Sequence, residues 1–134
     1  MIDILNQIFT TVADTVRTNY PTAIVTGEYT RQPSKFPCVT LDEIQNVMVP
    51  SLIDSSDEEK YSGLTYRLQV FSNKQNGKKA EARAIFALAD KVMLSLGFRR
   101  ITYTTTPEIY ESTIYSITAT YEAIISIEGY LYAR

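Results

Sequence analysis

An alternation near the C-terminal end constrains this chain more than any other feature. Tyr115, Ile117, Ala119, Tyr121, Ala123, Ile125 and Ile127 alternate with Ser116, Thr118, Thr120, Glu122, Ser126 and Glu128, with one break at Ile124. Strand side chains point to opposite faces in turn, so this period predicts a strand with one apolar and one polar face. At ~3.3 Å per residue the alternating part alone spans roughly 45 Å, longer than the usual strand. The strand signal over Thr113 to Arg134 therefore predicts an element that bends, or one that protrudes and meets something else. Its apolar face requires further strands beside it and helices over it.

The rest of the chain supplies both. Leu5, Ile8, Phe9, Val12 and Val16 form a helical stripe over Asp3 to Asn19. Asp3 is placed to accept amides of the first turn, and Tyr20-Pro21 ends the pattern. A short β-rich run follows at Ala23 to Thr26, and a second extended stretch at Phe36 to Val49. Lys60 to Asn73 is the clearest strand of the first half. There Leu64, Tyr66, Leu68 and Val70 oppose Thr65, Arg67 and Gln69. After a turn at Asn76-Gly77 a second helix is expected from Lys78 to Leu96, with an apolar face of Ala80, Ala84, Ile85, Leu88, Ala89, Val92 and Leu96. Glu81, Asp90 and Lys91 fall outside that face. Gly97 is placed for a left-handed cap, and Phe98 to Thr106 reads as another strand.

The expected architecture is α+β: an antiparallel sheet of about five strands with two helices packed on it, in the order α-β-β-β-α-β-β. Residues 1–134 read as a single domain with a flexible loop around residues 50–60, where Pro50, Ser55 and Ser56 accompany Asp54, Asp57, Glu58 and Glu59. A chain of 134 residues has the size of one domain and needs no disulfide or metal to hold it. No apolar run approaches a membrane span, and the first residues lack the basic start of a signal peptide. The lone Cys38 has no internal disulfide partner, which fits a reducing compartment.

Composition also narrows the chemistry. There is no histidine, which removes Ser-His-Asp and Cys-His catalysis and most transition-metal sites. Asp54, Asp57, Glu58 and Glu59 lack the spacing and central glycine of a calcium-binding EF-hand loop and read as a solvated loop. Cys38, between Pro37 and Val39, reads as a small core residue without an activating base. Gly77-Lys78-Lys79 lacks the glycine spacing and the Ser or Thr of a phosphate-binding loop. The net charge is -2, and Lys74, Lys78, Lys79, Arg99 and Arg100 are spread over two elements rather than in a nucleic-acid-binding stripe. The expectation is therefore a non-enzyme without metal or cofactor. Of 10 tyrosines, most lie in or beside strand-like segments, where they serve sheet packing or interfaces. The tail, with Tyr130, Leu131 and Tyr132, keeps its aromatic and alternating character to the chain's end. It is a candidate docking element, together with the acidic loop.

Four segments carry a family resemblance. They are the leading helix from Met1 to Phe9, the stretch Phe36-Pro-Cys-Val-Thr-Leu-Asp42, the strand Tyr66 to Asn73 running into Lys78-Lys-Ala-Glu-Ala-Arg-Ala-Ile85, and the closing strand Ala119 to Ser126. Over nearly its whole length this layout resembles the tail-terminator, or tail-completion, proteins of long-tailed bacteriophages. Connector (head-completion) proteins of the phage head share similar size and order, and a small binding module outside phages that uses an exposed sheet edge is a further alternative. The resemblance implies a virion protein, assembled in the bacterial cytoplasm, that forms a hexameric ring on the end of the tail tube. Such a ring stops tube growth and joins the tail to the head connector. The implied partners are further copies of the chain, the tube protein and the connector. DNA would pass through the ring without specific binding. Asp54, Asp57, Glu58 and Glu59 near the lumen would repel its phosphates.

Overall fold

The computed structural model describes residues 2–29, 33–49, 61–106, 114–126 and 131–133. The chain order is α1 (Leu5–Asn19), β1 (Ile24–Thr26), β2 (Cys38–Val49), β3 (Tyr61–Ser72), α2 (Lys78–Ser95), β4 (Arg99–Thr106), β5 (Tyr115–Ser126) and β6 (Leu131–Ala133). Two helices and a sheet with the expected order make the class α+β. The strands lie in the order β1-β2-β3-β5-β4, with the short β6 also pairing β5.

The central strand β3 is flanked antiparallel by β2 and β5 along its whole length. Helix α2 carries the chain from β3 to β4, and β5 then enters between them, antiparallel to both. One pairing departs from the antiparallel expectation: β1 runs parallel to β2, with Ile24 opposite Cys38. A tight hairpin would force antiparallel pairing. Residues 27–37 instead return the chain to the end where β1 began, which a parallel pair requires.

At the C-terminal strand the structure takes the first of the two expected courses, a reversal rather than a protrusion. The strand does not run on as one rod. β5 stops at Ser126, and Leu131–Ala133 folds back antiparallel, with Leu131 opposite Ile125 and Tyr132 opposite Ile124. β4 covers β5 from Ser116 to Glu122, and β6 covers Ala123 to Ile125. The reversal thus supplies backbone partners where β4 runs out, which an extended tail would leave unpaired.

Both helices pack on one face of the sheet. α1 contributes Ile8, Val12, Ala13 and Val16, and the sheet contributes Leu41, Leu64, Tyr66, Leu68, Ile117, Tyr121 and Ile125 to the same core. Val12 and Val16 are fully buried, each worth about 1.5–3 kcal/mol relative to exposure. Ile4 occupies the cap position of α1, while the Asp3 carboxylate accepts the Leu5 amide at 3.1 Å. The buried face of α2 is Ala82, Ile85, Phe86, Ala89 and Met93. The expected face is therefore rotated: Ala80 and Ala84 are exposed. Methyl groups bury too little area to orient a helix against Phe86 and Met93. The end of α2 is as expected, with Gly97 at φ 102. The amides of Gly97 and Phe98 bond the carbonyls of Leu94 and Met93, each at 3.2 Å, which closes the helix.

Candidate functional site

Of the candidate interface residues, Asp54, Asp57, Glu58, Glu59 and Tyr130 lie outside the described residues. Leu131 and Tyr132 are placed in β6, where their backbones pair with β5. The structure therefore brings the end of the chain onto its own sheet.

The remaining candidates for chemistry are dispersed. Cys38 is buried, and burial pushes its thiol up, away from the thiolate that a nucleophile needs. Lys78 and Arg99 flank opposite ends of α2, a helix about 27 Å long at 1.5 Å rise per residue. Arg100 is also committed: its Nη1 donates to Asp90 Oδ2 at 2.7 Å. The Tyr121 hydroxyl donates to Asp90 Oδ1 at 2.6 Å. Asp90 thus ties α2 to both β4 and β5. Burial first, and then this bond, hold the Tyr121 hydroxyl far above its ordinary range.

Tyr66 is the counterpart of Tyr121 one strand away, directly opposite it in register. It is fully buried and packs on Phe98 at 5.1 Å between ring centroids. Among the described residues its hydroxyl has no hydrogen-bond partner, nor do Glu43 Oε1 and Asn46 Oδ1 on β2. Asn46 Nδ2 donates to the Ile2 carbonyl at 2.8 Å. Burial pushes the Glu43 carboxyl up, a bond from Asn46 opposes this, and the charge of Asp3 adds to the rise.

Among the described residues are two hollows open to solvent. One of about 410 Å³ includes Ile24, Tyr29, Lys35 and Cys38 in its lining. The other, of about 280 Å³, lies between α2 and β4 and includes Phe86, Asp90, Arg100 and Tyr103. Among the described residues no three His, Cys, Asp or Glu side chains converge as metal ligands.

Among the described residues no helix covers the outer face of the sheet, which is largely polar. Arg67 grips Asp42 through two bonds, at 2.6 and 3.2 Å, under the ring of Tyr29. The Thr40 hydroxyl donates to Gln69 at 2.8 Å, and Thr102 and Thr120 share a bond of 2.7 Å. Its polar groups are largely paired with one another.

The sheet edges differ from both faces. β1 covers only Cys38 to Thr40 of β2, and no described strand pairs with the outer edge of Leu41–Val49. β4 is the last strand at the other end, and its residues from Arg99 to Thr105 are all exposed. Each edge strand carries a bulge, between Glu43 and Gln45 in β2 and between Arg100 and Thr102 in β4. Exposed Ile44, Val47 and Met48 lie on β2, and exposed Ile101 and Tyr103 on β4. Sequence reasoning missed these edges because strand neighbours set them, not local pattern.

No family model matches the chain, and no curated protein matches it.

Proposed function

We propose that this chain is a structural protein of a long-tailed phage virion. It assembles as a ring on the end of the tail tube, stops tube growth and joins the tail to the head connector. It does so by binding, not by catalysis. The layout of the sequence supports this reading. The observation that carries it is the pair of exposed strand edges at opposite ends of one sheet, which allow copies of one chain to associate head to tail.

The test is to add purified protein to purified tails lacking their terminal ring and to view them by electron microscopy. Added protein is expected to appear as a cap on one end of the tube and to restore joining to filled heads. Tails that bind none of it on either end would overturn the reading.

A further inference from the structure

We propose that copies of this chain join by extending the sheet, the β4 edge at Thr102–Thr106 of one copy pairing antiparallel with the β2 edge at Gln45–Val49 of the next. The inference rests on self-association in the proposed function and names the surfaces that carry it.

Strand direction comes first. β2, β3, β5 and β4 are linked by three antiparallel pairings, so β4 runs opposite to β2. Rotation about a ring axis keeps each copy's orientation relative to that axis. The β4 edge of one copy therefore meets the β2 edge of its neighbour antiparallel. This gives perpendicular bonds and short links between side chains.

The two segments also match. Beyond its bulge, β2 runs regularly from Gln45 to Val49, and β4 runs regularly from Thr102 to Thr106. They are equal in length, and neither contains a charge, a proline or a glycine. Natural edge strands are normally blunted by such residues. Met48 is 56% exposed and Val47 47%, on an edge with which no described strand pairs. Arg99 and Arg100 precede the β4 segment, while Asp42 and Glu43 precede the β2 segment. In the antiparallel pair these charged ends fall at opposite ends of the junction, so the uncharged segments pair without a charged residue opposite another of the four.

Met48→Lys on β2 and Thr105→Lys on β4 test the pairing. Both positions are exposed, and circular dichroism and thermal midpoint report whether each variant keeps the fold. Analytical ultracentrifugation from micromolar to millimolar concentration is the readout. Wild type is expected to sediment as oligomers and each variant alone as a monomer. The two variants mixed are expected to form a one-to-one dimer, because each retains the edge that the other lacks. Wild type that stays monomeric throughout overturns the pairing. So does a mixture that forms no dimer, or Met48→Lys that associates as well as wild type, as a symmetric β4–β4 contact would require. The proposed function is scored separately. Capping of tails by a monomeric wild type removes the pairing and leaves the function. Edge-dependent oligomers that bind no tail remove the function and leave the pairing.

Discussion

The inner and outer faces of this sheet are made by the same strands, yet they are held in different ways. On the inner face of β3, Leu64, Tyr66, Leu68 and Val70 are completely buried beneath the helices. On its outer face Thr65, Arg67 and Gln69 bond to Gln45, Asp42 and Thr40 across the β2 ladder. Apolar burial dominates folding energetics, whereas hydrogen bonds exchanged for bonds to water return little net, whether part-buried as at Arg67–Asp42 and Thr65–Gln45 or buried as at Thr40–Gln69. The fold is therefore specified from one side. The strand edges are left available for contacts, whereas Thr40, Thr65 and Gln69 of the outer face are buried.

The largest expected effect is on the inner face. Leu68→Ala should lower unfolding stability by about 2–5 kcal/mol through lost burial and a cavity. Denaturant titration measures this, and a loss comparable to that of an outer-face change would break the contrast between the faces. Next is the pair of buried tyrosines. Tyr121→Phe leaves Asp90 Oδ1 without its donor and should cost about 1–2 kcal/mol. Tyr66→Phe removes a hydroxyl that has no partner among the described residues and should be neutral or stabilising. Equal losses at both positions would show that the Tyr66 hydroxyl is satisfied after all. On the outer face, Arg67→Ala should cost about 1 kcal/mol or less, because the pair with Asp42 is partly solvated.

The last contrast is read in pH. Burial raises the Glu43 carboxyl above its ordinary value of 4.5. A raised folded-state value means that the folded protein holds the proton more tightly than the unfolded chain does. The associated stability is present below that ordinary value and is lost as pH rises through the folded one. Wild type should thus lose stability across this mildly acidic window. Glu43→Gln should flatten that part of the profile, and an unchanged slope would show that Glu43 is ionised at no cost.

The legible parts of the fold were those where large side chains repeat. β3 and β5 alternate Leu, Tyr, Val and Ile with polar residues, and α1 repeats Ile8, Val12 and Val16 at helical spacing. Sheet and helix positions followed from these. The face of α2 was not legible from its alanines, since Ala80 and Ala84 carry too little area to choose a side. Asp90 fell outside the expected apolar face. Yet it lies one turn from both Phe86 and Met93, and that spacing was the available signal for a buried partner such as Tyr121. The parallel course of β1 and the return of β6 depend on partners remote in sequence, which no local periodicity encodes. The same holds for the edges. Thr102–Thr106 reads as an ordinary strand until the topology leaves it last in the sheet.

Hydrogen exchange on assembled protein, compared with the monomeric Met48→Lys variant, tests the central claim most directly. Assembly is expected to protect alternate amides in Gln45–Val49 and in Thr102–Thr106 together, and to leave the exposed side of α2 unchanged. Protection on α2 or the outer sheet face, with both edges exchanging as in the monomer, would contradict it.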